Sequence, residues 1–299
     1  MEGLKVGHFT HTDDGTGVSV FLFDQAAPAA YVLCGSSPAT RELNTLELDA
    51  NTSKIDGLAF AGGSALGLGA VDGVMRWFRQ QKRGKKTPFG PVPIVPAACI
   101  YDLGIQSDRP PGAEEAYQAC QTATYHNLAQ GRIGAGTGAS IGKLIPGTSR
   151  MSGGWGCSEI TLATGLQVLA YAVVNAVGDI RDSQGTILAG ARLPDGHFAN
   201  CEQYLLSGKS ERQDYSDNTT LVAVFTNAVF SKAELRRIAK VGLTGMARAI
   251  NPVFTRYDGD IIFCVSLGNQ TVSETTVSVC AAEAVRSAIL NAVKESILL

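Results

Sequence analysis

The sequence is short of charge. Only 17% of its 299 residues are Asp, Glu, Lys or Arg, against about 25% in an ordinary soluble domain, so much of the surface must be buried in sheets, helices or subunit contacts, and an oligomer is expected. It has no excess of either sign: a net charge of −2 and a pI near 6.1 supply no broad basic field and exclude a dedicated nucleic-acid binder. It has no run of 18 uncharged apolar residues, and its start, MEGLKVGHFTHTDDG, lacks an apolar h-region, so a cytoplasmic location away from the membrane is expected. It has no paired cysteines: Cys34, Cys99, Cys120, Cys157, Cys201, Cys264 and Cys280 stand singly without a CxxC spacing, which reads as reduced core residues. Histidine is scarce, with His8, His11, His126 and His197 only. Neither Cys nor carboxylate stands at metal-ligand spacing from His8 and His11, so both read as surface histidines and no metal is expected. No G-x-S-x-G elbow occurs, a Ser-His-Asp triad is hard to assemble, and a hydrolase made from this chain would draw its general base from something other than histidine.

What is present is a mixed α/β pattern without repeats, on a chain long enough to bury one large core. GVSVFLF, AAYVLCG and KIDGLAFAGG read as strands from their β-branched and aromatic content between turn residues. Ser64 to Gln81 reads as a helix, residues 112 to 128 as another, and a proline-bearing stretch, GPVPIVPAACIYDL, leads into a further strand. Strand-like runs continue through LQVLAYAVVNAVGDI, a polar connection covers 194 to 218, and the last third reads strand 219–227, helix 231–249, strand 261–267 and helix 273–298. Paired sheets with helices outside would satisfy these faces as a layered α/β sandwich.

The loop GRIGAGTGASIGK invites a phosphate reading, but its spacing refuses one. A Walker A loop requires glycine where Thr137 stands and Ser or Thr where Leu144 stands, and the dinucleotide fingerprint fails at Ala139 and Ile141. The loop reads as a flexible connector that ends on Lys143.

Two stretches carry chemistry. The polar run with Lys209, Glu211, Arg212, Asp214 and Asp217 stops at Asn218, and an apolar strand opens at Thr219. A threonine hydroxyl is a weak nucleophile, whereas an N-terminal threonine carries its own base in its α-amine, whose pKa lies near working pH. Breaking the Asn218–Thr219 bond would create that amine at the head of a rigid strand; the plainer reading is a turn and a β-branched strand start. In RYDGDIIFCVSLG, Asp258 and Asp260 flank Gly259, so in an extended chain both carboxylates share one face. Such a pair repels itself unless a cation, an ammonium at Thr219 or Lys143, stands opposite; a simple turn at YDGD is the alternative.

The blocks GLAFAGGSALGLGAVDGVMRWF, PVPIVPAACIYDLG, GAGTGASIGK, VVNAVGD, NTTLVAVFTNA and ARAINPVFTRYDGDIIF resemble, in order, those of the DmpA-type L-aminopeptidase/D-esterase family, which includes β-peptidyl aminopeptidases and 6-aminohexanoate-oligomer (nylon-oligomer) hydrolases. The resemblance runs from about residue 5 to 290. It implies an N-terminal-nucleophile fold of αββα type, a single domain cut by itself into an α chain (1–218) and a β chain (219–299), assembly into homo-oligomers such as tetramers of that αβ unit, and no cofactor. It implies Thr219 as nucleophile, Asn175 as oxyanion donor, Lys143, Asp258 and Asp260 as the charged members of the site, and Tyr101 as a substrate-pocket residue. Asp-Gly-Asp in place of Ser-Gly-acid leans toward the nylon-oligomer branch. Phe254 and Ile261 depart from the His and Thr common in relatives. The expected activity is hydrolysis of peptide or ω-amino-acid amides. Acyl transfer of the ornithine acetyltransferase type and an uncleaved, non-enzymatic binding protein are the alternatives.

Overall fold

Strands that are apolar on both faces belong in the interior of a layered structure, and this chain has several. The structure, a computed structural model, describes residues 1–211 and 218–299; Arg212, Asp214 and Asp217 of the charged run lie outside the described residues. In chain order the main elements are strands β1 (Leu4–His11), β2 (Thr16–Ala27), β3 (Ala29–Leu33), β4 (Ala39–Arg41) and β5 (Ile55–Ala61), helix α1 (Val71–Gln80), strand β6 (Ala97–Cys99), helix α2 (Ala113–Gln121) and strand β7 (Thr124–Tyr125). Strands β8 (Gly154–Thr161), β9 (Gln167–Asn175) and β10 (Thr219–Ala228), helix α3 (Lys232–Ala247), strand β11 (Ile261–Gln270) and helix α4 (Glu274–Ala292) follow. One sheet runs β4-β6-β5-β2-β1-β7 and the other β8-β9-β10-β11-β3.

The alternation along β2 places it. Phe21 and Phe23 face the second sheet and meet Phe60, Trp155, Tyr171, Phe225 and Phe263 in a core between the sheets, with ring centroids 5.1 Å apart for Phe21–Phe225 and 5.3 Å for Phe21–Phe60. Val18, Val20 and Leu22 face the other way, onto Val74 and Phe78 of α1 and Ala116 and Ala119 of α2. On the second sheet Val222 and Val224 of β10 pack beneath Leu235, Ile238 and Met246 of α3 and Val285 and Ile289 of α4. The layers are therefore α1/α2, sheet, sheet, α3/α4, the expected αββα sandwich.

Several local expectations are corrected by tertiary structure. The helix expected over 112–128 ends at Gln121, because Thr124 and Tyr125 pair with Val6 and Lys5 of β1. The last helix ends at Ala292 rather than 298, and the tail returns to the sheet through Ile297 N–H to Ser152 Oγ (2.9 Å). Ser64 to Gln81 is an α-turn, a 3-10 turn and α1 in succession, and the connection 194–218 contains a helical turn, Cys201–Leu206, capped by Asn200. Strand β8 escapes a propensity reading because it carries Gly154 and Gly156; a Cβ at Gly156 would lie 2.1 Å from the Ala288 carbonyl oxygen of α4, so close helix packing demands the glycine. Of the loop 131–143, read as a flexible connector, residues 134–143 are buried and only 131–133 are partly exposed. His8 is no surface histidine: its ring lies 4.8 Å from Trp155, its Nδ1 pairs with Ser19 Oγ at 2.9 Å, and burial lowers its pKa to about 4, so it is neutral at pH 7. The seven cysteines are free, six buried and Cys34 partly so.

Phe225 contacts both sheets' aromatics, so Phe225→Ala is expected to cost about 3–5 kcal/mol of unfolding free energy. The exposed Val279 of α4 is the control, with Val279→Ala expected within about 0.5 kcal/mol; urea denaturation of both measures the contrast.

Candidate active site

Both sheets deliver polar residues to one rim. Strands β10 and β11 are parallel, with Leu221 opposite Ile261, so the residues preceding each strand emerge together, and Asn218 bridges Asp258. Strand β9 is antiparallel to β10 and ends there too, with Asn175 opposite Thr219. From the first sheet, Gly62–Gly63 follow the end of β5 and Tyr101–Asp102 follow β6, beside the start of β2 at Thr16.

The Asn218–Thr219 peptide bond is clamped on both sides. Asn218 N–H donates to the Tyr257 carbonyl (2.9 Å), Gly259 N–H donates to the Asn218 carbonyl (2.7 Å), and Thr220 N–H donates to Asp260 Oδ1 (2.5 Å). The Thr219 hydroxyl donates to the same Asn218 carbonyl oxygen at 2.5 Å. Asn218 and Thr219 are 1% and 3% exposed. Gly259 is the residue this packing allows: a Cβ there would sit 2.7 Å from the Ser37 carbonyl oxygen and 2.9 Å from Thr219 Oγ.

The acid pair is held by the turn before it. Thr255 donates both its N–H (2.9 Å) and its hydroxyl (2.6 Å) to Asp258 Oδ2, and Phe254 N–H donates to Asp260 Oδ2 (3.1 Å). Phe254 takes a left-handed φ of 58° to do so, a conformation that costs a bulky residue on the order of 1–2 kcal/mol. Burial pushes the Asp258 carboxyl above the usual carboxylate range, while the two Thr255 donations and the Lys143 charge draw it back. Asp260 is pushed up to about 8, first by burial and then by the charge of Asp258.

Asn175 sits on the opposite side of β10. Its Oδ1 accepts from Ser140 N–H (2.9 Å) and Lys143 Nζ (2.8 Å), and Lys143 Nζ also reaches the Asn175 carbonyl (3.1 Å). Two donors on one end identify it as the oxygen, so the amide nitrogen points the other way, to the Tyr101 carbonyl at 3.1 Å. An amide NH2 has two hydrogens; Tyr101 takes one. Lys143, Asn175, Asp258 and Asp260 are all buried.

Thr219, Asn218, Asn175, Lys143, Asp258 and Asp260 thus converge on one rim, and Tyr101 joins them through its carbonyl rather than its ring. Two members have no counterpart among the expected residues. Gly259 acts through its backbone, which no side-chain pattern reveals. Asp102 is the one acid in the apolar run IVPAACIYDLG, and that isolation was its signal. Among the described residues no cluster of three or more His, Cys, Asp or Glu is placed to hold a metal, and no helix is long and apolar enough to cross a membrane.

Comparison with known proteins places this rim in context. Residues 1–299 match Peptidase family S58. An uncharacterized aminopeptidase of Mycobacterium leprae is 36% identical over 288 residues, covering 90% of this chain and 77% of the relative. A 6-aminohexanoate-oligomer endohydrolase of an Agromyces species is 27% identical over 98% of this chain and 84% of its own. Among solved structures, a Burkholderia beta-aminopeptidase superposes with a TM-score of 0.74 at 19% identity, covering 98% of this chain and 84% of that one. The L-aminopeptidase D-Ala-esterase/amidase of Ochrobactrum anthropi, described as a variant of the Ntn hydrolase fold, superposes at 0.70 with 16% identity and the same coverage. At those identities the likeness establishes the fold, the DmpA-type variant of the Ntn hydrolases. By its match along the full length, the chain belongs to peptidase family S58.

Proposed function

We propose that the protein is a self-processing amide hydrolase whose nucleophile is Thr219, made as a precursor and cut between Asn218 and Thr219 into an α chain of residues 1–218 and a β chain of residues 219–299. One observation carries the reading: the Thr219 hydroxyl and the Gly259 N–H meet on the single carbonyl oxygen of the bond to be cut, at 2.5 and 2.7 Å.

In the first stage Thr219 Oγ attacks the Asn218 carbonyl carbon and its proton passes to the Asp258–Asp260 pair. Burial raises both carboxyls, Asp260 to about 8, and a higher pKa makes a carboxylate a stronger proton acceptor. Gly259 N–H stabilises the negative charge on the Asn218 oxygen. The C–N bond then breaks, the proton moves to the Thr219 nitrogen, and Asn218 is left as an ester on Oγ, which water hydrolyses to a carboxylate. In the second stage the freed Thr219 amine takes the hydroxyl proton as Oγ attacks a substrate amide. The second hydrogen of the Asn175 amide stabilises the oxyanion, the amine protonates the leaving nitrogen, and water releases the acyl group.

The relatives' names, aminopeptidase and 6-aminohexanoate-oligomer endohydrolase, support peptide or ω-amino-acid amides as substrates, with Asp258 and Asp260 positioned to orient the Thr219 amine or meet a substrate ammonium and Tyr101 bordering the pocket. Membership of a peptidase family favours water over an amino-acid acceptor, and so hydrolysis over acyl transfer. The sparse surface charge supports a homo-oligomer, a tetramer of αβ units, and the free thiols suit the cytoplasm.

The 31.3 kDa chain divided 218 to 81 is expected to run on a gel as pieces of about 23 and about 8.5 kDa, the smaller beginning with Thr219 on N-terminal sequencing. Thr219→Ala is expected to stay whole and to lose at least about 10⁴-fold in amide turnover; an active, uncut Thr219→Ala protein would overturn the reading. Gly259→Ala, which drives a methyl group toward Thr219 Oγ and the Ser37 carbonyl, is expected to fold and stay at 31.3 kDa. In the uncut Thr219→Ala chain, Asp260 binds its proton more tightly folded than unfolded, so stability is full at low pH and falls as pH rises from about 4 toward 8. Asp260→Asn is expected to flatten that part of the fall, measured as the thermal midpoint against pH.

A further inference from the structure

Asp102 is 2% exposed and unassigned in the chemistry above. Its Oδ2 accepts from Thr16 Oγ (2.7 Å) and its Oδ1 from Gly63 N–H (2.6 Å), so it ties the start of β2 to the turn after β5. Two glycines make room for it. A Cβ at Gly62 would lie 2.0 Å from Asp102 Oδ2, and one at Gly138, in the loop that leads to Lys143, would lie 2.9 Å from the same oxygen. A carboxylate buried this closely is costly unless its oxygens are held, and Thr16 and Gly63 hold one each.

Its position points to a role. One end of the Asn175 amide is held by the carbonyl of Tyr101, the residue next to Asp102; the other end is held by Lys143, whose charge Asp102 feels. We propose that Asp102 is a positioning residue for the Asn175 oxyanion donor, anchoring the Tyr101 carbonyl from behind and, with Asp258, attracting the Lys143 side chain that grips Asn175 Oδ1. The Asn175 amide is then held at both ends, by Lys143 and by Tyr101. The other titratable group beside Asp102 is the buried Cys99 thiol, which burial and the Asp102 charge push far upward, so it stays neutral. Thr16, Gly62, Gly63 and Gly138 bring only a hydroxyl and backbone. Burial raises the Asp102 carboxyl to about 6, against the pull of Gly63, Thr16 and Lys143, so it is ionised at neutral pH and its grip is lost as pH falls below about 6.

The proposal rests on the hydrolase reading for its kinetic part only. In the uncut Thr219→Ala chain labelled with ¹³C aspartate, the carboxyl resonance that disappears in Asp102→Asn is expected to titrate near pH 6. Its midpoint is expected to move up in Thr16→Val, which removes a donor to the ionised form, and up again in Lys143→Met, which removes the cation. In the processed enzyme, Asp102→Asn is expected to lower kcat for an amide substrate by about 10–100-fold, the scale of a misplaced catalytic group, with KM nearly unchanged. A midpoint indifferent to Lys143→Met, or an Asp102→Asn enzyme with parental kcat, overturns the proposal. Should Asp102→Asn not fold, the resonance is assigned through its response to Thr16→Val, the direct hydrogen-bond partner, and the Lys143→Met titration still decides the coupling. A Thr219→Ala chain that cuts itself would instead sink the nucleophile assignment and leave the titration result standing.

Discussion

The site depends on one pairing. Strands β10 and β11 are neighbours in parallel register, and parallel neighbours begin at the same edge of a sheet. The bond before β10 and the Asp-Gly-Asp before β11 are therefore brought together although about 40 residues separate them in sequence. The ladder continues past the strands, through Gly259 N–H to the Asn218 carbonyl and Asn218 N–H to Tyr257. A peptide bond in an exposed loop samples many orientations; this one is a rung of a sheet whose two strands are buried on both faces. The carbonyl proposed to react is thereby ordered by folding itself, through the aromatic core and the α3/α4 layer.

The second constraint is charge. Asp102, Asp258 and Asp260 are buried, and the buried Lys143 lies close enough for its charge to act on Asp102 and Asp258. Burial raises each carboxyl, and Lys143 draws Asp102 and Asp258 back. In the proposed chemistry, cutting the Asn218–Thr219 bond adds a free amine within the same rim. The strained turn at Phe254, which spends its N–H on Asp260, belongs to the same arrangement: backbone donors hold the acids beside the place where that amine would form.

Much of this was legible in the sequence. β10 and β11 were visible because strands covered on both faces are continuous apolar runs; Thr219, Asp258, Asp260 and Lys143, which the structure gathers on one rim, were singled out by their local pattern, and Asn175 by blocks resembling a known family. What escaped was whatever depends on backbone or on distant partners. Strand β8 contains glycines that only α4 explains, the glycine loop before Lys143 is buried because Gly136 and Gly138 admit Trp155 and Asp102, and His8 is buried by Trp155, which lies on the other sheet. Gly259 has no side chain to read, and Tyr101 enters by its carbonyl. Local pattern reports a residue's own preference; these positions are set by what lies against them.

The opposite neighbours of β10 divide the proposed labour. The Asn218 carbonyl turns toward β11 and is held by Gly259, whereas Asn175 lies across β10 on β9. Thr219 and Asn218 are both buried in the uncut chain, so the proposed nucleophile is covered before the proposed cut. Cutting in cis and cutting in trans then draw on different donors, a backbone N–H that no mutation of side chains removes and an amide whose orientation depends on Lys143, Tyr101 and Asp102. In the proposed scheme, changes on the β9 side reshape substrate turnover more than self-processing, because Asn175 serves the second reaction whereas the Gly259 N–H and the Asp258–Asp260 pair serve the first.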